Sequence, residues 1–157
     1  MSYRTYQGTL DATNLRIGVV VSRFNEFITE ALAKGALEVL EKHGCTPNRI
    51  LFTKVPGAWE LPLAAKAMAH HCDAIVALGA VIRGDTPHFD YVAGAAASGL
   101  RAVSLETGIP IAFGVLTTDD MQQAMDRAGG KLGNKGMEAA EVAIEMANLV
   151  NRLREDA

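Results

Sequence analysis

Ala74-Ile75-Val76-Ala77-Leu78-Gly79-Ala80-Val81-Ile82 carries no polar side chain at any position. A run of this length without alternation is the pattern of a strand buried on both faces, which a parallel sheet covered by helices requires. Working outward, Leu15–Val21, Ile50–Val55 and Ile109–Leu116 read as further strands. Between them lie helix-length segments: Glu26–His43, stopped by Gly44; Leu61–His71, with Pro62 in its first turn; and a helix with Thr86 as N-cap and Pro87 as first residue, ending at Thr107 before Gly108. A short helix follows over Asp119–Ala128, capped by Thr117 or Thr118. Gly129–Gly136 reads as a flexible joint and Met137–Arg154 as the last helix. The alternation predicts an α/β three-layer sandwich, a four-stranded parallel sheet with helices on both faces. Tyr6–Leu10 forms an extra extended segment with no helix after it, either a mobile tail or an edge strand on a neighbouring subunit.

Composition narrows the classes of function. The chain has 157 residues, 49% hydrophobic and 21% charged, enough for one compact domain over 1–157 with an N-terminal arm at 1–13. No apolar stretch reaches the roughly 18 residues that cross a bilayer. The polar start, Met1-Ser2-Tyr3-Arg4-Thr5, predicts no secretory leader, and a cytoplasmic location follows. A net charge of −3 without a basic run argues against nucleic acid as a partner. Cys45 and Cys72 are isolated thiols. His70-His71-Cys72 is not read as a metal site, because adjacent side chains on a helix diverge.

Ligands of open α/β sheets bind beyond the carboxyl ends of the strands. Four loops qualify: Ser22–Asn25, Pro56–Glu60, Arg83–His88 and Phe113–Asp119. In the third, Gly84-Asp85-Thr86 sits at a helix start, where free N–H groups favour an anion, and Arg83 adds a cation. His88 falls in the first turn, where the positive end of the dipole favours the neutral imidazole. An ordinary Thr-Pro cap beside a surface histidine explains the same residues equally well. Gly79–Thr86 imitates a phosphate-binding P-loop, but Asp85 stands where the lysine is needed. Phe24 and Trp59 could stack on a planar heterocycle or merely cover the sheet end. Glu60 could accept hydrogen bonds from hydroxyls or favour a helix start. Arg127 could be a helix C-terminal charge, and Lys131 and Lys135 could simply solvate the joint.

Six pieces in order narrow the reading. They are Arg23-Phe24-Asn25, Val55–Glu60, Leu78–Gly84, Thr86-x-His88, Phe113–Thr117 and Arg127-Ala128-Gly129 followed by Gly133–Gly136. On these the chain resembles the 6,7-dimethyl-8-ribityllumazine synthases of riboflavin biosynthesis, from about Leu15 to Leu149. The resemblance implies a flavodoxin-like fold and a transferase that uses no metal or organic cofactor. It would join 5-amino-6-(D-ribitylamino)uracil to 3,4-dihydroxy-2-butanone 4-phosphate with loss of phosphate and water. It implies that Phe24 and Trp59 flank the pyrimidine, that Ala58 and Glu60 hold the ring and ribityl side, and that Ala80, Val81 and Ile82 offer backbone groups to the uracil edge. Asp85, Thr86 and Arg127 match the positions that receive the phosphorylated substrate. His88 matches the proton donor, and Phe113 closes the site from a neighbouring subunit.

The same resemblance implies a homo-oligomer. This would be a pentamer, or the sixty-subunit icosahedral shell suggested by the short joint, with riboflavin synthase as a candidate partner, enclosed or not. Three residues depart from the family pattern: Trp59 for Phe or Tyr, Ala80 for a common Thr, and Asp85 at a small or neutral position. Asp85 is expected to offer its backbone N–H with the side chain turned away. The alternative function is a non-catalytic lumazine- or flavin-binding assembly protein, against which the presence of both His88 and Arg127 argues.

Overall fold

The computed structural model describes residues 2–156; Met1 and Ala157, the two ends of the expected domain, lie outside the described residues. The main sheet has the strands β1 (Ile17–Ser22), β2 (Ile50–Val55), β3 (Ala74–Ile82) and β4 (Ile111–Thr118), all parallel, in the order β2-β1-β3-β4. The helices are α1 (Glu26–Lys42), α2 (Leu61–Met68), α3 (His88–Thr107), α4 (Met121–Arg127) and α5 (Lys135–Asp156). This is a flavodoxin-like sandwich. Alternate residues of β1 enter opposite cores: Ile17, Val19 and Val21 pack with Leu32 and Leu40 of α1 and Ile144 of α5, while Val20 packs with Leu61 of α2 and Leu100 of α3. With both faces covered, every residue of β1 is buried.

The strand ends differ from expectation for identifiable reasons. β4 starts at Ile111 rather than Ile109, because Pro110 has no N–H to give the ladder; its carbonyl accepts from Ile75 at 2.9 Å. β1 is shifted likewise, from Leu15–Val21 to Ile17–Ser22. The helix expected over Leu61–His71 is α-helical only to Met68 and tightens into a 3-10 turn over Ala69–His71. Neither Thr117 nor Thr118 caps α4. Both belong to β4, and Asp120 is the cap, its carboxylate accepting from Gln123 N–H at 2.8 Å.

The joint at 129–136 is ordered. β5 (Ala128–Gly130) and β6 (Gly133–Asn134) pair antiparallel, and Asn134 Oδ1 accepts from the N–H groups of Gly136 and Met137 at 2.8 and 3.1 Å. Its Nδ2 donates to the Ala31 carbonyl at 3.1 Å, tying the start of α5 to α1. The N-terminal segment forms no strand among the described residues. It lies along α5 of its own chain, where Asn148 Nδ2 donates to the carbonyls of Thr9 and Asp11 at 2.8 and 2.9 Å. Only glycine fits at position 8, since a Cβ there would sit 1.9 Å from the Glu145 carbonyl oxygen.

Candidate active site

The carboxyl ends of β1, β2 and β3 are held open by local backbone devices. Beyond β1 the chain stays hydrogen-bonded to its neighbour, with Arg23 N–H on the Val55 carbonyl at 2.8 Å and Phe24 N–H on the Pro56 carbonyl at 3.1 Å. Asn25 then takes a left-handed conformation, φ 60° and ψ 52°, the single non-glycine with positive φ among the described residues. Asparagine tolerates this at a small cost. Its carbonyl accepts from Ile28 and Thr29, which starts α1 and leaves the Phe24 ring 69% exposed at the sheet end. After β2, Glu60 carboxylate accepts the Gly57 N–H at 3.1 Å, half of a capping box, and fixes the turn that carries Trp59, itself 61% exposed. β3 outruns β1, whose pairing with it stops at Val21–Leu78. Beyond Gly79, which lies beside Ser22 at the end of β1, the edge of Ala80–Ile82 that would face β1 has no strand partner, while the other edge continues on β4 to Thr118.

These devices enclose a hollow of about 610 Å³. Phe24, Ala58, Trp59, Glu60, Ala80, Val81, Ile82 and His88 all line it. Phe89, Tyr91 and Val92 complete the wall; no sequence motif marked them, although their place beside His88 on the first turns of α3 could have done so. Two other expected residues are elsewhere. Phe113 and Arg127 line a separate hollow of about 490 Å³ with Gln123 and Lys135. There Arg127 Nη1 donates to the Gln123 carbonyl at 3.0 Å. Lys135, expected merely to solvate the joint, faces this second hollow instead.

The loop at 83–87 corrects two expectations. Helix α3 begins at His88 with Pro87 as its cap residue, one position later than the Thr86 cap and Pro87 start. Pro87 has ψ 3°, outside the helical well, and Thr86 Oγ1 accepts the His88 N–H at 3.4 Å. That N–H is thus less available to an anion, leaving Gly84, Asp85 and Thr86 to supply the free donors. Arg83 is not a spare cation. Its Nε lies 3.0 Å from Asp119 Oδ1, its Nη1 3.7 Å from Asp90 Oδ1, and its guanidinium 4.3 Å over the Phe89 ring. It clamps the end of β3 to α3 and to the turn before α4. Asp85 is exposed and makes no hydrogen bond or ion pair among the described residues.

Among the described residues no group of His, Cys, Asp and Glu gathers as a ligand set. Cys72 is buried, and burial first, Asp73 second, pushes its thiol up to about 11. No helix among the described residues is long and apolar enough to cross a membrane.

A flavodoxin-like sheet with an aromatic-walled hollow at the carboxyl ends of its strands is the arrangement in which open α/β proteins bind small molecules. The family model of 6,7-dimethyl-8-ribityllumazine synthase matches residues 14–151, and the chain belongs to that family. Membership places it among the enzymes of riboflavin biosynthesis, as a transferase in general terms.

Proposed function

We propose that the chain, acting as one domain over 1–157, condenses 5-amino-6-(D-ribitylamino)uracil with 3,4-dihydroxy-2-butanone 4-phosphate to 6,7-dimethyl-8-ribityllumazine. The observation that carries the reading is the division of the site: His88 and the aromatics share one hollow, and Arg127 and Phe113 share another on the same chain. The hollow with His88 is lined by no Lys or Arg, and the hollow with Arg127 and Lys135 is lined by no histidine. Two copies set head to tail would join one hollow to the other, and repetition of that contact closes a ring. The exposed rings of Phe24 and Trp59 gain cover in the same step.

In the assembled site the pyrimidine lies between Phe24 and Trp59, with its edge on the bare backbone of Ala80–Ile82. Ala58 and Glu60 border the ring and its ribityl chain. The phosphate sits against the backbone N–H groups of Asp85 and Thr86 and the guanidinium of Arg127 from the neighbouring copy. The 5-amino nitrogen attacks the ketone and water leaves as the imine forms. Loss of the proton from the neighbouring carbon breaks the C–O bond to phosphate, the enol so formed takes up a proton to become a carbonyl, and attack of the ribitylamino nitrogen on that carbonyl expels water and closes the ring. His88 carries protons to and from the departing oxygens. Holding both reactants together supplies the rest. No cofactor is required. The rings would be pentamers in the cytoplasm, able to build a sixty-subunit shell with riboflavin synthase inside, and the N-terminal arm would exchange onto a neighbour as the ring forms.

A turnover assay with the two substrates, read by lumazine fluorescence, tests the reaction. Product formation at a rate proportional to enzyme is expected. Binding of lumazine without turnover would overturn it in favour of a non-catalytic assembly protein.

A further inference from the structure

The amino ends of the strands hold another hollow, of about 460 Å³, at the opposite end of the sheet from His88. Arg16, Arg49, Asn48 and His71 line it, over a floor that includes Leu51 and Cys72. The register explains the gathering. Ile17 pairs with Ile50 on one side and Ala74 on the other, so the preceding residues, Arg49, Arg16 and Asp73, form a row across β2, β1 and β3. Neighbouring strands are about 4.8 Å apart, so two guanidinium side chains rise from adjacent positions. The one carboxylate in the row is occupied with backbone: Asp73 Oδ2 accepts the Arg16 N–H at 2.8 Å. Among the described residues neither arginine has an acidic partner at ion-pair distance. Arg49 Nη1 donates to the Asn14 carbonyl at 3.3 Å, which steadies its fork and leaves its other N–H groups available. The His71 ring is steadied by His70, their centroids 4.1 Å apart.

We propose that this hollow binds a small organic anion, its phosphate or carboxylate held between Arg16 and Arg49 and its apolar body resting on Leu51 and Cys72. Guanidinium forks match the oxygens of such anions. Asn48 and His71 add neutral donors at the rim. The volume suits a molecule of metabolite size. The site shares no lining residue with either half of the proposed active site, so it is a separate binding function and stands independently of the proposed reaction.

The test is equilibrium dialysis of the full chain with labelled inorganic phosphate and with phenyl phosphate. It is run in Arg127→Ala protein, so that anion binding at the shared site is weakened beforehand. One site per chain is expected, with phenyl phosphate bound several-fold more tightly than inorganic phosphate. Adding Arg16→Ala and Arg49→Ala should weaken it by at least about tenfold. In case the double change unfolds the protein, Leu51→Glu introduces a carboxylate at the floor and should also abolish binding. On an otherwise unchanged background these substitutions should leave turnover unaltered. Absence of the site, or unchanged binding in either variant, would overturn the proposal. A loss of turnover with no loss of binding would likewise remove the separation claimed here.

Discussion

If the active site is shared, two crippled proteins should restore each other. The perturbation is a pair of variants, His88→Ala and Arg127→Ala, purified separately and refolded together in equal amounts. Each alone should be poor. Loss of a positioned acid–base group typically lowers kcat by about 10²–10⁴. Loss of one charged hydrogen bond to phosphate raises the KM of the phosphorylated substrate by roughly tenfold to a hundredfold, leaving the pyrimidine little affected. The hollows containing these two residues have no lining residue in common; in the proposed ring a boundary would take His88 from one copy and Arg127 from the next. A boundary is intact only when an Arg127→Ala copy supplies His88 and a His88→Ala copy supplies Arg127. Random mixing makes this true of about a quarter of boundaries in a head-to-tail ring. Activity measured below the wild-type KM should therefore rise to about a quarter of wild type. Native mass spectrometry confirms that mixed rings formed. Mixed rings with activity no higher than the separate variants would refute the shared site and put both residues to work within one copy.

Three further outcomes follow from the packing. Arg83→Gln should lower stability by about 1 kcal/mol or less, because its ion pairs are half exposed, and should leave the KM of the phosphorylated substrate nearly unchanged; a tenfold rise would show that the guanidinium leaves its carboxylates for the anion. Gly136→Ala would place a Cβ 2.1 Å from the Leu32 carbonyl oxygen, so the urea midpoint should fall by the equivalent of about 1–3 kcal/mol; an unchanged midpoint would mean that α1 and α5 separate freely. Cys72 is raised from 9.0 to about 11, so the folded chain keeps a proton that the unfolded chain loses first. Stability from this thiol is complete below pH 9 and is lost as pH rises to about 11, about 2–3 kcal/mol in all. The difference in urea midpoint between wild type and Cys72→Ala should shrink over that interval, and a constant difference would refute the shift.

The residues that were legible in the sequence are those whose environment is local. β3 announced itself because burial on both faces leaves no polar position. The strand-end rule then reached Phe24, Trp59, Glu60 and His88, and the structure gathers these in one hollow. The misreadings came where a partner distant in sequence decides. Arg83 looked like a free cation because nothing in its own loop reveals Asp119, 36 positions away. Gly129–Gly136 looked like a loose joint because the bond from Asn134 to Ala31 spans 103 positions. The start of α3 falls one residue late because Pro87, with ψ 3°, lies outside the helical well, although Thr86 Oγ1 still accepts the His88 N–H as a capping side chain does. The roles of Phe113 and Arg127 came only from the resemblance, since the contact proposed between copies would leave no trace within one chain.

The departures at Ala80 and Trp59 are consistent with how this hollow is built. A threonine at position 80 would add a hydroxyl, yet the uracil edge in the proposed site is met by the backbone of β3 where it outruns β1. That supply of N–H and C=O groups depends on strand length and not on the side chain at 80, whose Ala is 3% exposed. Stacking requires a planar face at position 59, and tryptophan offers the largest. The hydrogen bond from Gly57 N–H to Glu60 holds that turn whichever aromatic it carries. Ala80→Thr should therefore change KM for the pyrimidine by less than about threefold, since the backbone edge already serves the ring and an added hydroxyl contributes no more than the low end of a net hydrogen bond, about 0.5 kcal/mol. Steady-state kinetics with the pyrimidine varied gives the comparison. A tenfold fall in KM would show that the hydroxyl, and not the strand edge, is the missing recognition element.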